Sequence, residues 1–331
     1  MKPRLLRVFA KRSALGVRLL GTLLAAALLI HLLNQQGWSD IGGAVSRIAL
    51  WRFLLAFGLI GISRFAVATR WHVLLKSSGN DISWWQSLRL TFAGLFATNF
   101  LPTTIGGDVI RFAGALQMKF DAVLCAASLL VDRLVGMAGM AMAVPFGLPR
   151  FIDRGVFVRS STHVADFLVM FAMTLAGKRW KRLTDLIASK GSSVMRRLYK
   201  ALALWAKQPR VLLISLGFSW VHMLCVFAAL SLLFSGMGEE MPLWLSGGLY
   251  SVVYFVTLLP LSINGYGIQE ISMTFVFSQV GGVSMESGLT GALLFRTLMI
   301  LASLPGAIFV PSLLPGARQH AARLQQADEG N

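Results

Sequence analysis

Long apolar runs are the feature of this sequence that most restricts how the chain can fold. A helix needs about 20 apolar residues to cross roughly 30 Å of hydrocarbon, and runs of about this length recur from one end of the sequence to the other. They are continuous, whereas the strands of a membrane barrel alternate between apolar and polar residues. With 56% apolar and 14% charged residues, the chain is predicted to be an all-α integral membrane protein with a single transmembrane domain over residues 1–331.

About six of these runs are predicted to be full transmembrane helices. They cover residues 15–33, 52–75, 122–146, 158–177, 211–234 and 287–312. Two further apolar stretches, 88–118 and 242–282, are interrupted by the turn sequences LPTTIGGD at 101–108 and PLSINGYG at 260–267. Proline and closely spaced glycines stop a helix, so each stretch is predicted to be a broken or re-entrant helical hairpin.

The positions of the positive charges predict the orientation in the membrane. Segment 178–210 carries ten basic residues and one acidic residue, and the N-terminal segment and the tail at 313–331 are also basic. Such segments remain in the cytoplasm, so both termini are predicted to be cytoplasmic in a bacterial-type inner membrane. The two termini and segment 178–210 all lie on one side only if each hairpin enters and leaves the membrane on the same side, the first from the cytoplasm and the second from outside. Their tips then meet near mid-membrane, as in an inverted-repeat transporter.

The net charge of +17 does not indicate a nucleic-acid partner, because the basic residues lie between the apolar runs and at the chain ends. Within segment 178–210, apolar residues recur at helical spacing opposite a basic face. This pattern predicts an amphipathic helix on the inner leaflet. A solvated linker helix is the alternative interpretation.

The first break combines turn residues with charges. Pro102 stops a helix, Gly106 and Gly107 allow a tight turn, and Asp108 and Arg111 lie three residues apart at the start of the next helix. A helix start offers free N–H groups to an anion, and an arginine can add a bidentate clamp. The pair is therefore a candidate head-group site. Alternatively, Asp108 caps the helix and pairs with an arginine only to neutralise charge.

Two further sets of polar residues are candidates. Asp132 and Arg133 are adjacent, about 100° apart on a helix, and are expected to reach different neighbours; they contact substrate or form buried ion pairs. The second break repeats the chemistry of the first, with Asn264 and Gly265 at the turn and Glu270 inside the following helix. Because ionisable groups are costly in hydrocarbon, each needs a partner or a function.

Three segments carry a family resemblance: NFLPTTIGGDVIRF at 99–112, AASLLVDRLVG at 126–136 and PLSINGYGIQE at 260–270. Together they resemble the lysylphosphatidylglycerol synthase transmembrane family, also called flippase-like proteins, over most of the chain. Members fused to a soluble aminoacyl-transferase domain make and translocate aminoacylated phosphatidylglycerol. Since this chain ends at Asn331, we expect no synthase activity. Ile263 and Asn264 depart from the usual second motif. The matching positions are Pro102, Gly106, Gly107, Asp108, Arg111, Asp132, Arg133, Gly265, Gly267 and Glu270.

These features predict a lipid translocase, not an enzyme, that moves an anionic, aminoacylated or polyprenyl-type lipid. Its expected partners are anionic phospholipid or polyprenyl phosphate, with a second copy or a lipid-modifying enzyme as protein partner. One alternative is a polyprenyl-phosphate-sugar glycosyltransferase, although the sequence has no D-x-D pair; another is an accessory subunit. Cys125 and Cys225 lack metal-ligand spacing, so neither a metal nor a cofactor is expected.

Overall fold

The computed structural model describes residues 45–100, 106–153, 201–259 and 263–313, together with positions 30 and 43. These residues form helices and contain no strand. The α-helices are α1 (Leu50–Ser77), α2 (Trp84–Phe100), α3 (Gly106–Gln117), α4 (Ala122–Ala143), α5 (Leu148–Asp153), α6 (Pro209–Gly236), α7 (Leu243–Thr257), α8 (Ile268–Gln279), α9 (Met285–Leu301) and α10 (Val310–Leu313). Short 3-10 segments cover Val144–Phe146, Ile263–Gly265 and Leu304–Ile308.

Four helical segments in the described residues are long and apolar enough to cross a bilayer. They are Leu50–Ser77, Ala122–Phe146, Pro209–Gly236 and Met285–Ile308, and they match four of the predicted spans. The all-α membrane fold is thereby confirmed. The predicted spans 15–33 and 158–177 lie outside the described residues, so the count of six remains a prediction.

Helices α1 and α6 run in opposite directions along each other. Ile48, just before α1, lies against Gly236 at the end of α6. Trp205, just before α6, donates a hydrogen bond from Nε1 to the carbonyl oxygen of Leu74 near the end of α1, at 3.2 Å. The start of each helix therefore lies beside the end of the other.

Helix α4 runs parallel to α6, because Val131 and Leu212 border the same groove near the middle of α4 and the start of α6, and Gly139 lies farther along beside Met223. Helix α9 runs in the direction of α1. Its Gly291 lies against Phe234 near the end of α6, which is the level of the start of α1. Helices α1 and α9 therefore run in one direction and α4 and α6 in the other, as the predicted topology requires.

The first hairpin, formed by α2 and α3, enters and leaves on the side where α1 ends. Trp84 at the start of α2 donates a hydrogen bond to Thr69 Oγ1 at 2.9 Å, and Ala115 near the end of α3 packs in one cluster with Leu75 and Cys125. The two helices have 17 and 12 residues, or about 26 and 18 Å. Both are shorter than the hydrocarbon layer, as a re-entrant hairpin requires.

The second hairpin, formed by α7 and α8, enters and leaves on the other side, where α6 ends. Ser246 in the first turn of α7 donates a hydrogen bond to the carbonyl oxygen of Phe227 at 3.1 Å, and Gly281, just after α8, lies against Met241. Each half therefore has the order span, hairpin, span, with opposite directions in the two halves. This is the order predicted for an inverted repeat; which side faces the cytoplasm remains a prediction.

The end of the basic segment 178–210 lies partly within the described residues, where 201–206 are helical. Trp205 is 1% exposed, and its Nε1 also donates to Ser77 Oγ at 2.9 Å. At this end the apolar face therefore packs on protein, in contrast to the predicted position on lipid. Residues 178–200, the N-terminal segment and the tail at 314–331 lie outside the described residues.

Candidate functional site

The start of α3 is held tightly against α2 by glycines. A Cβ on Gly107 would lie 2.1 Å from Thr98 Oγ1 and 2.6 Å from the carbonyl oxygen of Gly94, closer than any side chain tolerates. Gly106 and Gly107 are both buried. Both were predicted to allow a tight turn; in the structure they begin α3, where Gly107 serves the close approach of two helices. Pro102 lies outside the described residues.

Asp132 of α4 is the centre of a buried charge network. Its Oδ1 accepts a hydrogen bond from Arg70 Nε at 2.7 Å, and its Oδ2 accepts two from Arg111 Nη1 and Nη2, both at 3.2 Å. Arg70 Nη1 also donates to Ser219 Oγ at 3.0 Å. The Asp132 side chain is 3% exposed, so one carboxylate out of reach of solvent joins α1, α3 and α4, and Arg70 extends the network to α6.

Asp108 joins the same network from the first turn of α3. It accepts from Arg111 Nη1 at 3.4 Å and from Arg133 Nε at 2.5 Å. The Arg133 side chain is 48% exposed, compared with 19% for Asp108. Asp132 and Arg133 thus reach different neighbours, as predicted, and Arg133 is at the accessible edge of the network. The guanidinium of Arg111 stacks over Trp71 at 4.2 Å, which fixes its plane.

The second break has the turn chemistry that its sequence predicts. Asn264, Gly265 and Gly267 have φ values of 52°, 71° and 78°, the left-handed region that glycine and asparagine accept most readily. In the first turn of α8, Glu270 accepts a hydrogen bond through Oε2 from the Gly267 N–H at 2.7 Å. Its other oxygen accepts from Arg296 Nε of α9. Glu270 therefore caps α8 and neutralises an arginine at once.

The tips of the two hairpins touch. Tyr266, between the left-handed residues of the second break, donates a hydrogen bond from its hydroxyl to the carbonyl oxygen of Asn99, at 2.8 Å. The Asn99 side chain donates to Ser303 Oγ at 2.8 Å, and the Arg296 guanidinium stacks over Tyr266 at 4.7 Å. The described ends of the two hairpins therefore meet, because the end of α2 and the turn before α8 share these contacts; their depth in the membrane stays a prediction.

Two tyrosines of α7 lie between the two sets of charges. Tyr254 is close enough to Arg70, Arg133 and Asp132 to interact with their charges. Tyr250, one helical turn earlier, interacts in the same way with Arg64 and Arg296. The second hairpin thus lies close to both the Asp132 network and the Glu270 pair.

Our sequence analysis did not single out Arg70, Tyr250, Tyr254 or Tyr266. Arg70 had a visible signal, since it is a second arginine, after Arg64, within the predicted span 52–75. The tyrosines gave no such signal, because their part in the site depends on contacts between segments distant in sequence.

Arginines outnumber carboxylates at this site. Among the described residues that make up the two sets, five arginines accompany three carboxylates, namely Arg64, Arg70, Arg111, Arg133 and Arg296 with Asp108, Asp132 and Glu270. This leaves two formal positive charges. The described part of the chain contains no group of three or more His, Cys, Asp or Glu that could hold a metal ion. The two surplus positive charges could pair with an anion through charge-assisted hydrogen bonds.

Comparison with known proteins gives two matches. The family described as lysylphosphatidylglycerol synthase TM region matches residues 18–306, which includes both hairpins and all the charged residues above. A UPF0104 membrane protein from Archaeoglobus fulgidus is 23% identical over 264 residues, covering 72% of this chain and 80% of the relative.

Proposed function

Because the chain belongs to the lysylphosphatidylglycerol synthase transmembrane region family, we propose that it is an inner-membrane lipid translocase that moves an anionic lipid between leaflets. The substrate is an anionic phospholipid, an aminoacylated phospholipid or a polyprenyl phosphate lipid. The predicted location in an inner membrane is part of the same proposal.

The observation that carries the proposal is the contact between two hairpins that enter from opposite sides. Transporters built from inverted repeats place their substrate between discontinuous helices near mid-membrane, where it can open to either side in turn. Here the contact from Tyr266 to the Asn99 carbonyl, 2.8 Å long, lies between two such hairpins and beside the charged residues.

The charged residues can replace the hydrogen bonds that a lipid head group loses when it leaves water. A phosphate near Arg133, whose side chain is 48% exposed, would share its donors with Asp108 and gain charge-assisted hydrogen bonds. The acyl chains remain in the surrounding hydrocarbon while only the polar head passes the protein. Because the ion pairs already hold the arginines in place, little side-chain entropy is lost when the head group binds.

The test is a transport assay with the purified protein in phosphatidylcholine vesicles. The probes are phosphatidylglycerol and phosphatidylcholine, each labelled on an acyl chain with a fluorophore that an impermeant reductant bleaches. We expect the protein to expose the inner-leaflet phosphatidylglycerol to bleaching but not the phosphatidylcholine. An Arg133→Gln variant should slow this exposure, while Arg89→Gln, an exposed arginine of α2, should leave it unchanged.

Protection of phosphatidylglycerol equal to that in protein-free vesicles would contradict the proposal. In that case, two further observations would identify the alternative functions. Sugar transfer from a polyprenyl-phosphate sugar would identify a glycosyltransferase, and lipid movement only after addition of a lipid-modifying enzyme would identify an accessory subunit.

A further inference from the structure

Arg64 differs from the other buried arginines of the site because it has no carboxylate. It is 6% exposed and lies in the middle of α1 (Leu50–Ser77). Its Nη2 contacts the thioether sulfur of Met299, which is a weak acceptor, and its Nε has no hydrogen-bond partner. Among the residues that the structure describes, Arg64 makes no salt bridge, whereas Arg70, Arg111, Arg133 and Arg296 each do.

The surroundings of Arg64 are polar but supply no negative charge. His222 of α6 is close enough to interact with its charge, and the His222 Nδ1 atom is also buried without a partner. Tyr250 of α7 is the third polar neighbour. Two neighbouring buried nitrogen atoms without a hydrogen-bond partner are unusual in a folded protein. Such groups are retained where a ligand completes them.

The position of Arg64 relates it to the Asp132 network. Arg64 precedes Arg70 by six residues on the same helix, a rise of about 9 Å. Tyr250 and Tyr254 are spaced by one turn of α7; Tyr250 lies near enough to Arg64, and Tyr254 near enough to Arg70, to interact with its charge. Arg64 and Arg70 therefore lie at two levels along α1, each with a tyrosine of α7 nearby.

We infer that Arg64 is a separate anion-binding position that takes the phosphate of a lipid head group after it leaves the Asp132 network. This inference rests on the proposed function and deepens it by naming the atom group that the protein recognises. The phosphate oxygens accept from the Arg64 guanidinium, with His222 Nδ1 and the Tyr250 hydroxyl as further polar contacts. A phosphate without a cation on the same head group compensates Arg64 most fully, so the site favours anionic lipids over phosphatidylcholine.

The test compares thermal stability in nanodiscs of phosphatidylcholine with and without phosphatidylglycerol. For the wild-type protein we expect phosphatidylglycerol to raise the melting temperature. For Arg64→Met we expect a higher melting temperature in pure phosphatidylcholine, because an unpaired buried cation has been removed, and loss of more than half of the increment from phosphatidylglycerol. Arg64→Lys should keep part of the increment, and the exposed control Arg89→Met should keep all of it.

An increment that survives in Arg64→Met and in Arg64→Gln would overturn the inference. Inorganic phosphate in pure phosphatidylcholine discs is the second arm, and a full increment from it would assign the position to free phosphate instead of lipid. Transport by the wild-type protein separates the two claims. If lipid does not move but the increment depends on Arg64, the proposed function fails alone; if lipid moves and the increment ignores Arg64, only this inference fails.

Discussion

The hydroxyl of Tyr266 lies 2.8 Å from the carbonyl oxygen of Asn99, which places the turn of one re-entrant hairpin against the end of a helix from the other. The two residues are 167 positions apart in the sequence. Because each hairpin returns to its own side, movement of either one at this contact would open the charged region to one side only. If the proposed transport is right, we expect this contact to act as a gate.

Loss of the central carboxylate should destabilise the protein strongly. Asp132→Ala leaves Arg70 and Arg111 buried without their shared partner, and breaking a buried ion pair costs about 3–5 kcal/mol. We expect a clearly lower melting temperature in detergent. Asp81→Ala removes an exposed carboxylate and should change it little. Equal effects of the two substitutions would mean that the Asp132 network does not stabilise the fold.

Glycine at position 107 should be required for the first hairpin. In Gly107→Ala the new Cβ meets Thr98 Oγ1 and the backbone of Gly94, so α2 and α3 must separate. We expect lower stability and loss of lipid movement. Gly61→Ala in α1 is the matched control, because a Cβ there meets nothing within 4 Å and alanine favours helix by up to about 1 kcal/mol. Normal transport by Gly107→Ala would show that the close approach is dispensable.

The fold was predictable from the sequence where the signal is local. Hydropathy placed four spans to within a few residues, and the sequences around Gly106 and Asn264 marked both breaks. The opposite entry of the hairpins followed from charge, because the basic segment 178–210 requires each hairpin to return to its own side. The spans, the breaks and the basic segment can each be recognised from the composition of a short stretch of chain.

The pairing within the site was not predictable in the same way. Asp132 pairs with both Arg70 and Arg111, whereas Asp108 pairs with Arg133. This pairing depends on how four helices pack, and a single sequence does not show the distances between them. Arg111 and Arg133 were identified near Asp108 and Asp132, but more than one pairing satisfied their charges. The unpartnered state of Arg64 appears only after the other arginines have been assigned.

The two functions of Glu270 should be separable. Glu270→Gln keeps an oxygen that can accept from the Gly267 N–H but removes the charge that neutralises Arg296, whereas Glu270→Ala removes both. Losing a cap costs about 1 kcal/mol, so we expect Ala to be less stable than Gln and both to be less stable than wild type in thermal denaturation. If Gln matched the wild type, the ion pair with Arg296 would contribute nothing.

The predicted orientation can be tested in intact cells with an impermeant thiol reagent. Lys190→Cys and His320→Cys should be labelled only after the cells are opened, because the basic segments remain in the cytoplasm. Glu240→Cys, in the exposed loop between α6 and α7, should be labelled from outside. Reversed labelling would invert the topology but would leave the two hairpins opposite each other.

The central claim is that lipid passes where the two hairpins meet. The most direct measurement is phosphatidylglycerol movement by an Asn99→Cys and Tyr266→Cys double variant in a background where Cys125 and Cys225 are replaced by alanine. Because a tyrosine side chain spans the gap, the new thiols need a short cleavable bifunctional reagent instead of a direct disulfide. Each single-cysteine variant, treated with the same reagent, is the control. We predict that cross-linking stops lipid movement, and that reduction restores it. Undiminished movement by the fully cross-linked protein would contradict the account.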